Sequence, residues 1–266
     1  GDQDIAIEDL TVGQMKDFQS YLIGEGLRMN TISLYNRELR AVYNYALDEE
    51  IIQMDKRPFR KSFTGQEKTR KRAVDGGVVK RLAILSLIDK ERLGFARDLF
   101  LFSIYMQGMP FIDMAYLKKE QVRNGCITYQ RRKTNRQLRV KIHPQAQIII
   151  DRYMVSDPGC PYLFPILYDP EKKTEREYSS ALRVYNKRLD SLSSLLELDE
   201  PLTSYVARHT WASLARQCGT SDTVISEAMG HSHVGVTTIY LASLDIGMVA
   251  MANQRVITSL FRKRIP

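Results

Sequence analysis

Between residues 56 and 72 the chain changes character and is expected to run extended rather than as a helix. Lys56, Arg57, Arg60, Lys61, Lys68, Arg70, Lys71 and Arg72 face one acid, Glu67, and Pro58 and Gly65 interrupt any helix. So many like charges repel and stay in solvent, which breaks the chain into two folding regions. The expected organisation is a small helical unit at 1–62, a basic interdomain linker at 63–72 and a larger unit at 73–266. The stretch reads as extended. A solvated loop is the plain reading of it; its place between two folded units in a basic protein favours contact with phosphates.

On the short side of this break, apolar residues recur at helical spacing over 8–23, with Gly24 and Gly26 as stops. A second helix starts at Thr31, with Ile32, Leu34, Tyr35, Leu39, Val42, Tyr43, Ala46 and Leu47 as its apolar stripe. Two helices make a thin core, so this unit either continues upstream or clamps a partner. Gly1 stands where an initiator Met is expected, which fits a trimmed fragment.

Beyond the break, helices are expected at 76–88 and 91–107, the second apolar enough to be core. Residues 126–142 change period. Ile127 and Tyr129, then Leu138, Val140 and Ile142, alternate with polar residues around a turn at Thr134-Asn135, which predicts a β-hairpin. Its tip and outer positions carry Arg131, Arg132, Lys133, Arg136 and Arg139. Further helices are expected at 145–155, 177–196, 204–217, 222–229, 235–243 and 247–261. The fold class is mainly α with a small antiparallel β-sheet.

The formal charge of +8 and pI near 9.3 favour a polyanionic partner. No apolar run reaches the roughly 20 residues needed to span a bilayer, and no basic helix with a broad apolar face suits a membrane surface. Three scattered cysteines, Cys126, Cys160 and Cys218, make neither a disulfide framework nor a CxxC metal motif and fit a reducing cytoplasm. His231-Ser-His233 lacks an acidic or cysteine ligand at metal spacing, so no metal or other cofactor is expected.

Three pieces near the C-terminus stand out: Tyr205-Val-Ala-Arg208-His209-Thr-Trp211, Met229-Gly-His231-Ser, and Thr237-Thr-Ile-Tyr240. Thr203 or Ser204 is placed to cap the helix carrying the first piece, Gly219 to close it, Ser221 to cap the next, and Gly230 to end that one beside His231. Short helices joined by tight turns can gather Arg208, His231 and Tyr240. Singly, each residue has a plainer reading: an ion-pair arginine, a helix-end histidine, an amphipathic surface tyrosine.

Together, in order and spacing, the pieces resemble the signature of the tyrosine recombinase (phage-type integrase) family: a His-x-x-Arg-His box, a Leu-Gly-His-Ser box and a Thr-Thr-x-x-Tyr ending. Lys133-Thr134 resembles the family's β-turn lysine. Residues 108–115 (Gly-Met-x-Phe-x-Asp-Met-Ala) and 205–211 resemble integrases of Bacteroidetes mobile elements. The resemblance implies a catalytic domain at 72–266 and part of a helical core-binding domain, without its first helix, before it. It implies site-specific cleavage and rejoining of a duplex DNA core site, by a cytoplasmic, nucleoid-associated tetramer on DNA, with a host DNA-bending factor as a possible partner. It implies Tyr240 as nucleophile, Arg208 and His231 as donors to the phosphate and Lys133 as general acid. Lys56, Arg57, Arg60, Lys61, Arg70, Lys71, Arg72, Arg132 and Arg136 are the expected DNA contacts.

Two positions depart from the pattern. Tyr205 stands where the second box has a histidine; a phenol can still donate or accept a hydrogen bond. Pro110 stands where a first arginine belongs in Gly-x-Arg-x-x-Glu, and proline cannot neutralise a phosphate. Arg131 lies two residues before Lys133, so period-two geometry puts both on one strand face, where Arg131 could supply the missing charge. Arg97 is a weaker candidate. The plain alternative for Arg131 is a DNA-backbone contact or a solvated hairpin residue. The alternatives for the chain are a DNA-binding protein of this fold with impaired catalysis and a type IB topoisomerase. The tail at 247–261 either packs on its own core or, as the resemblance suggests, docks on a neighbouring protomer.

Overall fold

A computed structural model describes residues 4–65, 67, 73–230 and 246–261. The chain divides into two compact units, residues 1–70 and 71–266.

In the first unit a 3-10 turn (Ile7–Asp9) leads into α1 (Val12–Gly24) and α2 (Met29–Asp48). Thr11 caps α1 in a reciprocal box with Gln14, so the helix begins three residues after the 3-10 turn ends rather than at residue 8. Met15, Tyr43, Ala46, Ile52 and Phe59 form the core. Phe59 belongs to the basic stretch that was expected to run extended. Instead Pro58–Lys61 form a 3-10 turn, with Pro58 and Phe59 buried. Asn36 Nδ2 donates to the Phe63 carbonyl (2.9 Å), Ser33 Oγ to the Gly65 carbonyl (2.6 Å), and Glu67 N to Asn30 Oδ1 (2.8 Å). Two apolar anchors and these polar contacts outweigh the charge repulsion, because Lys56, Arg57, Arg60 and Lys61 all stay exposed while the backbone folds back. Along α2, Leu34, Tyr35, Leu39 and Val42 are exposed, so only one side of the expected stripe is buried.

The second unit is built around α4 (Glu91–Tyr105), which is buried along most of its length. Packed with it are α3 (Gly76–Ile84), α6 (Pro144–Tyr153), α7 (Tyr178–Leu195) and α8 (Val206–Gln217). The short α5 (Phe111–Ala115) follows α4, and α9 (Asp222–Met229) and α10 (Ile246–Phe261) complete the helices. The strands β1 (Val122–Arg123), β2 (Cys126–Gln130) and β3 (Gln137–Lys141) form an antiparallel sheet in that order. Ile127 pairs with Val140 and Tyr129 with Leu138, which puts these buried side chains on the core face. A second, two-stranded ribbon joins β4 (Tyr168–Asp169) to β5 (Thr174–Glu175). The chain is therefore mainly α with small antiparallel sheets.

Local chemistry sets the ends near the C-terminal motifs. Ser221 Oγ accepts from Val224 N at the start of α9, and Gly230 ends it in the left-handed conformation (φ 63°). The cap of α8 is Tyr205, with no side-chain cap bond, instead of Thr203 or Ser204. The tail helix α10 packs on its own core: Val249, Val256, Ile257 and Leu260 join the main cluster. Asn253 fixes its rotation by accepting from Trp211 Nε1 (3.0 Å) and donating to the Tyr105 carbonyl. The helix expected at 235–243 lies outside the described residues. Among the described residues no helix is long and apolar enough to cross a membrane.

Candidate active site

A cleft of about 470 Å³ opens in the second unit, lined by Pro110, Arg131, Lys133, Tyr178, Tyr205 and Arg208 among others. Four elements build it. Pro110 heads α5, Arg131 and Lys133 lie between β2 and β3, Tyr178 begins α7, and Tyr205 and Arg208 open α8.

Arg208 is only 5% exposed. Its Nη1 donates to the Gly108 carbonyl (2.9 Å) and its Nη2 to the Met229 carbonyl (2.6 Å). Gly108 has φ 71°, and a Cβ there would lie 3.2 Å from Arg208 Cα, so glycine is needed both for the turn and for the approach. Burial and the nearby charge of Arg131 pull the guanidinium down to about 10, still a cation at neutral pH.

Arg131 is also 5% exposed, and its Nη1 donates to the same Met229 carbonyl. Its Nε lies 2.9 Å from Asp113 Oδ2, close enough for an ion pair but off the line of a directed hydrogen bond. Asp113 Oδ1 accepts from Arg132 N (3.0 Å). Burial raises the Asp113 carboxyl above its ordinary range, against the Arg132 N–H and the charges of Arg131, Arg208 and Arg132. Two buried guanidiniums thus meet on one carbonyl, and one carboxylate, paired with Arg131, stands against both, which leaves a net positive charge beside the cleft.

This placement corrects the sequence reading of Arg131. Strand β2 ends at Gln130, so strand periodicity does not carry the chain to Lys133. Arg131 turns inward, with Arg131 N donating to the Arg136 carbonyl (2.8 Å), and is neither a solvated hairpin residue nor an outer-face contact. The signal was Asp113: a buried acid calls for a cation, and Pro110 supplies none. Arg97, the weaker candidate, is bound instead to Asp98 (2.7 Å) and the Leu85 carbonyl (2.7 Å).

Lys133 is exposed on the turn at the cleft rim. The turn is tied to the end of α9: Thr134 Oγ1 donates to the Gly230 carbonyl (3.1 Å), and Arg136 pairs with Glu227. Arg136, expected on DNA, is thus engaged within the protein. Arg132 lies over the Tyr116 ring, 3.7 Å from its centroid, and is exposed. Tyr205 is exposed and packs edge-on against His209 (4.4 Å). Tyr178, Leu182 and Ser204 also line the cleft and were not singled out in the sequence, since nothing local distinguishes them.

His231, Tyr240, Arg70, Lys71 and Arg72 lie outside the described residues. Lys56, in the first unit, pairs with Asp9 (3.5 Å), and Arg57, beside Asp55, has a left-handed backbone (φ 46°). Among the described residues no group of His, Cys, Asp and Glu is placed to hold a metal ion.

The fold has solved relatives. A lambda integrase dimer bound to a COC' core site is 15% identical, with a TM-score of 0.65, covering 96% of this chain and 82% of that one. The Tn1549 transposon integrase in complex with circular intermediate DNA is 14% identical, with a TM-score of 0.61, covering 94% and 86%. A lambda integrase tetramer bound to a Holliday junction is 16% identical, with a TM-score of 0.67, covering 91% and 67%. At such identities the likeness speaks for the fold. No match was found among curated proteins. The family model of the phage integrase SAM-like domain matches residues 1–63. The model of the phage integrase family matches residues 80–245, more than half of the chain, and the protein therefore belongs to that family.

Proposed function

We propose that the protein is a site-specific DNA recombinase that cleaves and rejoins a duplex core site through a 3'-phosphotyrosine, and so integrates or excises a mobile element. The observation that carries this reading is the pair of buried arginines, Arg131 and Arg208, held on one carbonyl beside a cleft that Lys133 and Tyr205 also line.

In the proposed reaction the Tyr240 phenolate attacks phosphorus. The bond to the 5'-oxygen breaks, and that oxygen leaves with a proton from Lys133. Covalent catalysis divides one hard displacement into two. Rejoining reverses it: a 5'-hydroxyl attacks the phosphotyrosine and the phenol is released, so no external energy source enters. Charge gathers on the non-bridging oxygens in the transition state. Arg208 and Arg131 stabilise it from fixed positions, which spares the reorganisation that water would need. Arg131 thereby supplies the charge that Pro110 cannot. His231 adds a donor, and Tyr205 offers its hydroxyl from the rim.

Lys56, Arg57, Arg60 and Lys61, together with Arg70, Lys71, Arg72 and Arg132, are proposed to contact DNA phosphates. Relatives solved as a dimer on a core site and as a tetramer on a Holliday junction support an assembly of several protomers on DNA. Pro110 favours one other reading, a DNA-binding protein with impaired catalysis. Nicked duplex carrying the core site, incubated without metal, separates the two. A covalent adduct that disappears in Tyr240→Phe supports the recombinase; DNA binding with no adduct supports the binder.

A further inference from the structure

We propose that the second unit has another binding site, on the far side of Phe111 from the cleft, for a compact aromatic or apolar anion. A cavity of about 460 Å³ lies between α4 and α7, the size range of small-molecule sites. Phe95 and Leu99 from α4, Phe111 from α5, and Val184 and Tyr185 from α7 form its apolar wall. Phe111 and Tyr185 are both buried and stack on one another, with centroids 4.3 Å apart and planes 9° apart, which makes the inner end of that wall rigid.

Three arginines, Arg92, Arg176 and Arg188, line the same cavity. Arg176 is neutralised by Asp169 (2.6 Å). Arg92 and Arg188 have no ion-pair partner among the described residues, and the one acid of the lining, Glu177, is exposed and accepts a hydrogen bond from Ser179 (2.7 Å). Arg188 is half-buried. Burial and the charges of Arg92 and Arg176 act together to disfavour its charged form. A cation in apolar surroundings without a counter-charge is a cost that a bound anion removes. A ring seated against the apolar wall with a sulfonate, phosphate or carboxylate toward Arg92 and Arg188 satisfies both halves of the cavity. Duplex DNA presents its phosphates on a broad convex surface, which a recess of this size does not admit.

The test is calorimetric titration of the full chain with naphthalene-1-sulfonate, with naphthalene-1-methanol and sodium sulfate as controls. One saturable site is expected, weakened about tenfold or more in R92Q/R188Q and lost in Val184→Trp, which fills the cavity and keeps the charges. Thermal melts verify folding, and Val184→Trp decides the question if the arginine variant is unstable. Absence of saturable binding overturns the proposal. So does binding that survives both variants, which places the probe on another surface such as the exposed side of α2. Equal binding of the neutral alcohol shows an apolar cavity without anion selectivity and overturns it too.

Discussion

Asp113 and Arg131 form the pair on which the proposed catalytic geometry depends, and a double-mutant cycle separates its structural and chemical parts. The Asp113 side chain has no exposed surface, and the ion contact is 2.9 Å. Removing one member leaves the other charged and buried, a loss of about 3–5 kcal/mol. That is a large share of the roughly 5–15 kcal/mol by which a domain is stable. Asp113→Asn keeps an oxygen for Arg132 N but no charge for Arg131; Arg131→Met strands the carboxylate. The double variant strands neither, so we expect it to recover at least about 2 kcal/mol of the summed losses. Urea unfolding followed by Trp211 fluorescence reads this well, since Trp211 is the one tryptophan and is fully buried in the second unit. Each single variant should lower the midpoint by about 1 M or more. Losses that add within about 0.5 kcal/mol refute the pairing. The double variant should still form adduct about 10²–10³ times more slowly than the parent, as the transition state lacks a fixed cation. Adduct formation at the parent rate would remove Arg131 from the chemistry whatever the stability shows.

Four further outcomes are expected. Gly230→Ala puts a Cβ 3.0 Å from Leu138 Cδ1 and 3.2 Å from Arg131 Cγ at φ 63°; urea midpoints should record a loss of about 2–4 kcal/mol. Asn253→Ala leaves the buried Trp211 N–H and Tyr105 carbonyl without their partner and should cost about 2 kcal/mol in the same assay, whereas a loss near zero would dissociate α10 from the core. Lys133→Ala should slow cleavage of ordinary DNA about 10²–10⁴-fold, yet cleave near the parent rate when sulfur replaces the 5'-bridging oxygen, because a thiolate leaves without a proton. Glu227→Gln, which loosens the tie between the Lys133 turn and α9, should show the same selective rescue in milder form, and a defect equal on both substrates would assign it to folding alone.

The Lys133 turn also shows why only part of the candidate site was legible beforehand. That a turn closes the hairpin near Thr134-Asn135 is a matter of local period and of Asn135 adopting φ 56°. That Arg131 is buried within it depends on Asp113, eighteen positions away, and on the Met229 carbonyl still farther along the chain. The cleft brings Arg131, Lys133, Tyr205 and Arg208 together, but period-two spacing was the wrong reason to join the first two, since the strand stops before either.

Sequence by itself determined what acts over a few residues. The Ser221 cap, the Gly230 stop, the alternation in β2 and β3 and the helical period of α10 are short-range consequences of backbone sterics and side-chain polarity. Tertiary structure alone decided which charges are buried and which apolar faces are covered. The 56–67 stretch is charged enough to read as extended, yet Phe59 enters a core made by α1 and α2. Leu34 and Tyr35 are as apolar as Ile32, yet lie exposed on the other side of the same helix. The reason is physical. The free energy of burying a residue depends on what the rest of the fold places against it, and residues distant in sequence supply most of that surface.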